Sequence, residues 1–214
     1  MYLLYDLEHH NYAAIFARII ALAIGISVHE FAHAKFADLA GDPTPRKAGR
    51  VTLNPLAHYD PIGSTLILIG FFGWGKPVPV NSAAFRHPRQ DSLRVALGGI
   101  GANIVTAGLF GLVFRTGIIP DVYAPLVVEI VFINLLLAFF NLLPLYPLDG
   151  SHALLALLPL APARRVRDFY MRFSMGPLML LIMASFLVPQ VFMIVMLPVS
   201  LLSWVFTGQQ LSFM

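Results

Sequence analysis

The 214-residue sequence contains no cysteine. Disulfides, thiolate metal ligands and a thiol nucleophile are thereby excluded, and any metal site falls to His, Asp and Glu. Charge is also scarce: Asp, Glu, Lys and Arg make up 12% of the chain, against about a quarter in soluble domains. The net charge of +3 comes from Arg-rich loops. No basic groove with interleaved aromatics is present, so no nucleic-acid partner is predicted. Nor does a basic leader precede a hydrophobic region, because Met1 to His10 is acidic and the first basic residue is Arg18; the first apolar segment is expected to be structure. Internal repeats and low-complexity stretches are absent too. What remains is apolar: hydrophobic residues are 58% of the chain and mean hydropathy is +0.77. These values predict an all-α polytopic membrane protein embedded in the lipid bilayer as one domain over residues 1–214.

The apolar runs divide the chain. A first segment at about 11–40 is stopped by Gly41-Asp42-Pro43. Residues 42–60 are polar, with a short β-like run at Gly49 to Leu53. The run from Ile62 to Phe72 is too short to span and suggests a re-entrant segment. In Lys76-Pro77-Val78-Pro79-Val80-Asn81 the alternating prolines forbid helix and leave an edge-type strand, which either accepts a substrate backbone or acts as a rigid cap. Val95 to Phe114 spans and carries a small-residue surface from Gly98 to Gly111. Val122 to Leu143 is the next span, and a short apolar helix follows at Leu154 to Leu160. Two runs, Phe173 to Val188 and Val191 to Thr207, form a helical hairpin within about 164–207, beyond a core of about 11–160. The sum is about five to six transmembrane helices, a re-entrant segment and short membrane-associated β-strands.

Within the first segment stands His29-Glu30-Phe31-Ala32-His33. Residues four apart on a helix share a face, so both imidazoles can address one ion, and nitrogen ligands suit zinc. Glu30 lies beside that face, within reach of a water proton but poorly placed as a third ligand. A chance match is the bland alternative; two imidazoles and a carboxylate in an apolar helix would then be costly without a partner. Asp149, on backbone that Pro144 and Pro147 must unwind, is either a turn residue or the missing third ligand. Asn103, mid-span, is either glue between helices or a substrate-orienting group. His58 is a candidate near the metal, with a structural loop histidine as its alternative. Arg18 reads as a snorkelling anchor, and Glu129 as a neutral or Arg-paired carboxylate near the far interface.

The His-Glu-x-x-His helix, combined with Asn141-x-x-Pro144-x-x-Pro147-Leu148-Asp149-Gly150, resembles the site-2 protease family of intramembrane zinc metalloproteases. The closest likeness is to its compact prokaryotic branch without an inserted PDZ domain, and it covers about residues 20–160. The resemblance implies a zinc ion on His29, His33 and Asp149, a water activated by Glu30, and Asn141 and Asn103 around the substrate-binding cleft. It also implies a transmembrane protein or peptide as substrate, cleaved in or near a prokaryotic plasma membrane. One departure is that Gly99-Ile100-Gly101-Ala102-Asn103 stands where the family usually has Gly-Pro-x-x-Asn.

Charge fixes the expected orientation. With the 62–72 run re-entrant, loops 42–60, 76–94 and 161–172 share one face and hold most of the Lys and Arg, which makes that face cytoplasmic and sets the active site nearer to it. The competing class is a non-hydrolytic metal-binding scaffold or a metal transporter. A transporter should place ionisable residues at several depths, whereas outside the motif the spans offer only Arg18 and Glu129.

Overall fold

The computed structural model describes residues 6, 9–68 and 74–209. Helix α1, Tyr12–Ala40, has 29 residues, about 43 Å of rise. The Asn11 side chain caps its start by accepting from the Ala14 N–H. At its end Gly41, at φ 106°, donates its N–H back to Ala37 and Asp38, a turn that suits only a residue without Cβ. Short helices α2 (Thr44–Lys47), α3 (Pro55–His58) and α4 (Pro61–Leu68) follow. Helix α5, Pro88–Arg115, begins about two turns before the expected Val95. Pro88 is pre-set for a first helical position, and Asp91 accepts the His87 N–H at 2.8 Å. Then come α6 (Ala124–Asn141), α7 (Asp149–Leu157), α8 (Leu160–Phe173), α9 (Gly176–Leu187) and α10 (Met193–Thr207).

Among the described residues, four helical stretches are long and apolar enough to cross a membrane: Tyr12–Ala40, Pro88–Arg115, Asp121–Asn141 and Gln190–Thr207. A fifth is reached only if α8 and α9, bent by 68°, count as one span. Helices α1, α5 and α6 pack against one another, α7 lies on α5, and α10 lies along α6 and α5. Ala107, Val131, Leu135, Val195 and Val199 join the last three, and Ala21, Leu22, Ile130 and Ile133 join α1 to α6. The outside is apolar, with Phe16, Val105, Leu109 and Leu197 at 60–64% exposure. Asn103, Asn134 and His58 are fully buried. Apolar outside and polar inside is the arrangement that lipid rather than water selects.

Two expectations need correction. Among the described residues there is no strand: 49–53 is bend, turn and irregular chain, and 74–81 is irregular chain that forms no ladder, although its Lys76 N–H donates to the His58 carbonyl at 2.8 Å. Alternating prolines dictate extended backbone but supply no partner. Side chains take the polar groups instead, as the Arg50 guanidinium donates to the carbonyls of Lys76 and Pro77. The short apolar helix expected at 154–160 is α7, which starts at Asp149, with Asp149 in its first turn. Of the 62–72 run, α4 covers the first part; residues 69–73 lie outside the described residues, and so does the question of re-entry.

At the far end of α1, Arg18 is not a lone snorkelling anchor. Its Nε donates to Glu129 at 3.1 Å and its Nη1 to Asp6 at 3.2 Å. The Arg-paired alternative for Glu129 is the one observed.

Candidate active site

Two helices deliver the cluster. His29 and His33 stand one turn apart on α1 with Nε2 atoms 2.9 Å apart. Asp149 comes from the first turn of α7, its Oδ2 3.0 Å from His29 Nε2 and 3.1 Å from His33 Nε2. The chain break at 142–148 makes this possible. Pro144 and Pro147 end the α6 hydrogen-bond ladder, Tyr146–Pro147 is cis, and Tyr170 Oη on α8 donates to the Pro144 carbonyl at 2.8 Å. Gly150 closes the turn: a Cβ there would stand 2.2 Å from the Leu142 oxygen and 2.4 Å from that of Leu143. On the opposite side α5 lies directly on the imidazoles, since a methyl group at Gly99 would be 2.5 Å from His33 Nε2 and 2.8 Å from His29 Cε1.

Hydrogen bonds to the outer ring nitrogens decide what faces inward. His33 Nδ1–H donates to the Val95 carbonyl at 2.8 Å. His29 Nδ1–H donates to Asn103 Oδ1 at 2.6 Å. A neutral imidazole has one N–H, so both Nε2 atoms present lone pairs to the centre. Two lone pairs and a carboxylate oxygen thus converge at 2.9–3.1 Å with no committed donor between them. Only a shared proton or a cation relieves that. Tetrahedral zinc bonded at its usual lengths holds its ligand atoms about 3.3 Å apart, so the donor set and spacing fit zinc with a shift of a few tenths of an ångström. Each histidine also has the outer-nitrogen hydrogen bond usual for a metal-bound imidazole.

Glu30 adjoins the cluster, its Oε2 accepting from the Val78 N–H at 3.2 Å. It lines a cavity of about 880 Å³ together with His29, His33, Asp149, Asn141 and the extended chain from Trp74 to Val80. Asn141 Nδ2 donates to the Leu137 carbonyl at 3.0 Å. Asn103, by contrast, is fully buried behind His29 and is not in the cavity wall. The structure does not bring His58 into the cluster either; it is fully buried, donates from Nε2 to the Thr52 carbonyl at 2.8 Å and meets Arg50 Nη2 at 3.3 Å. Through Arg50 it steadies Lys76 and Pro77, and so the strand-like segment beside Glu30. Two contributors were not named from sequence. Asn134 on α6 accepts from Asn103, and His152, one helical turn after Asp149, lines the cavity. An Asn in the middle of a Leu-rich span was a signal for the first; the i+3 spacing from Asp149 was one for the second.

Residues 120–184, which include Asn141 and Asp149, match Peptidase family M50. The chain is 40% identical over 155 residues to the Bacillus subtilis protein named "Putative zinc metalloprotease YwhC", covering 66% of this chain and 68% of that one. It is 32% identical over 152 residues to "Putative zinc metalloprotease Rip2" of Mycolicibacterium smegmatis, covering 67% of this chain and 58% of that protein. No solved structure matches. With the family match and a relative aligned over two thirds of its own length in agreement, the chain belongs to peptidase family M50, the site-2 protease family of zinc metalloproteases.

Proposed function

We propose that this protein hydrolyses peptide bonds of membrane-spanning substrates, with Glu30 as general base and His29, His33 and Asp149 as the zinc ligands. The observation that carries the reading is the convergence of His29, His33 and Asp149, with ligand atoms within 4.8 Å of one another, from one membrane-length helix and from the first turn of α7 just after the end of another. Zinc, when bound, supplies the Lewis acidity that lowers the pKa of water toward 7 and polarises a peptide carbonyl. The chain's own residues do the rest. Glu30 takes a proton from water at its carboxylate and returns it to the leaving amine. The Val78 N–H fixes that carboxylate on the cavity side of α1.

A substrate helix hides its carbonyls in its own hydrogen bonds, so it must unwind before attack. The segment from Trp74 to Val80 and the break at 142–148 border the cavity and offer extended backbone along which an unwound stretch can lie. Asn141, at the cavity edge, is the side chain best placed to meet it. The site lies nearer the cytoplasm, because the stretch from the C-terminal end of α1 through the first two turns of α5, together with α8, holds every Lys and Arg except Arg18, Lys35 and Arg115.

The test is Glu30→Gln in purified detergent-solubilised protein, assayed on a transmembrane reporter. Cleavage should fall by about 10²–10⁴-fold with zinc content unchanged, the loss expected of a missing general base. Wild-type cleavage by that variant would overturn the assignment, and zinc binding with no cleavage by any form would favour a metal-binding scaffold.

A further inference from the structure

Behind the cluster lies a chain of amides. Asn134 Nδ2 on α6 donates to the Ile130 carbonyl at 2.8 Å. That leaves Asn134 Oδ1 to accept from Asn103 Nδ2 at 2.9 Å, while the same Nδ2 donates to the Gly25 carbonyl of α1, also at 2.9 Å. Both hydrogens of the Asn103 amide are thereby committed, and its Oδ1 can only face His29 Nδ1, 2.6 Å away. Both asparagines are fully buried.

The orientation cannot be reversed cheaply. A flipped Asn103 would set its oxygen against the Gly25 and Asn134 oxygens and its NH2 against His29 Nδ1. His29 would then have to accept at Nδ1 and carry its proton on Nε2, the atom facing Asp149. An N–H there cannot ligate a metal. The two backbone carbonyls, of Ile130 and Gly25, therefore dictate through two side-chain amides which nitrogen of His29 bears the proton.

We propose that Asn103, held by Asn134, is a positioning residue that locks His29 as the Nδ1–H tautomer and so prepares Nε2 for the metal; this rests on the metal-site reading above. It reassigns Asn103 from the substrate cleft to the support of a ligand, and gives Asn134 a function that sequence alone did not suggest. Conversely, the other histidine needs no such relay, because a backbone carbonyl, that of Val95, already fixes its proton.

The experiment compares wild type with Asn103→Leu, Asn103→Asp and Asn134→Leu in detergent micelles. Zinc affinity is read by chelator competition. The tautomer is read in metal-free protein by ¹⁵N spectra of labelled histidine, with His29 signals identified by their loss in His29→Phe. Asn103→Leu should weaken zinc about 10–100-fold and shift His29 away from the Nδ1–H form. Asn103→Asp keeps an acceptor for His29 Nδ1–H but sets its second oxygen against those of Gly25 and Asn134, so it should lower the thermal midpoint yet keep the Nδ1–H tautomer that Asn103→Leu loses, a separation that a purely packing role would not produce. Asn134→Leu, which leaves Asn103 held by Gly25 alone, should show a smaller loss of the same kind, and it carries the test if Asn103→Leu does not fold. Wild-type zinc affinity and an unchanged His29 tautomer in Asn103→Leu or, failing that, in Asn134→Leu would overturn the relay. In that event, zinc binding and Glu30-dependent cleavage by the wild type would leave the protease reading intact, whereas a wild type without zinc would remove both.

Discussion

Gly99→Ala is the sharpest perturbation the geometry offers. The added methyl would stand 2.5 Å from His33 Nε2, with His29 Cε1 at 2.8 Å and Nδ1 at 2.9 Å. Ordinary contact begins near 3.4 Å, so α5 or the two imidazoles must give way by about 0.9 Å. Zinc sites tolerate about 0.2 Å in ligand distance. Neither ring can retreat freely, because each is tied at Nδ1, one to Asn103 and one to Val95. The strain therefore falls on the cluster. A misplacement near 1 Å costs on the order of 100-fold in turnover, and the overpacking itself about 1–3 kcal/mol.

The matched control is two residues away. A methyl at Gly101 meets nothing within 4 Å, and replacing a helical glycine by alanine favours the helix by about 0.5–1 kcal/mol. Gly101→Ala should thus keep zinc affinity and cleavage while its thermal midpoint holds or rises. Gly99→Ala should lose at least about tenfold in zinc affinity by chelator competition and about 100-fold in reporter cleavage. Equal behaviour of the two variants would refute the reasoning, since both are single methyl additions to one helix and differ only in what they meet.

Glu129→Leu removes one carboxylate from Arg18, 3.1 Å away at the far end of α1; stability should drop by about 1–3 kcal/mol in thermal melts while zinc affinity stays at the wild-type value. Asp42 ties the end of α1 to the 81 turn by accepting from Asn81 N–H at 2.7 Å and from Thr44 N–H at 2.9 Å. Burial alone would raise its carboxyl, but those hydrogen bonds outweigh burial and lower it below the ordinary 3.8. A depressed folded pKa means stability that is full above the unfolded value and lost as pH falls below it and through the folded one. Asp42→Asn should therefore melt below wild type at pH 7, and the gap should close as pH drops under about 4.

How much of this was legible beforehand varies with the kind of signal. The helix carrying His29 and His33 was readable because periodicity fixes which side chains share a face, and α1 runs from Tyr12 to Ala40, almost the bounds the apolar run suggested. That Asp149 meets the two histidines was readable only in company, since a turn aspartate and a carboxylate that joins a histidine cluster look alike until a second half-site demands it. The strand at 76–81 failed for a related reason: prolines determine backbone shape locally, whereas a ladder partner is a tertiary fact, and here Arg50 and Glu30 took the groups a neighbouring strand would have used. Likewise the choice between glue and substrate contact for Asn103 hinged on what lay 31 residues on, at Asn134. Sequence marks both as polar residues in lipid, but it does not pair them.

The small-residue surface of α5 and the metal-ligand motif of α1, which read as separate features, are physically one device. Inside a bilayer apolar contact does not draw helices together, so close approach depends on small residues and on polar groups that find partners. Gly99 lets α5 come down onto the imidazoles. That approach is what puts Asn103 within 2.6 Å of His29 and the Val95 carbonyl within 2.8 Å of His33. The bonds that orient the ligands are therefore also the polar contacts that join α1 to α5, and through Asn134 to α6. A change at any of these positions acts on packing and on ligand chemistry together. Loss of activity alone cannot separate them, whereas zinc affinity measured beside a thermal midpoint can, because Gly99→Ala and Asn103→Leu should lower the first by more than the second accounts for.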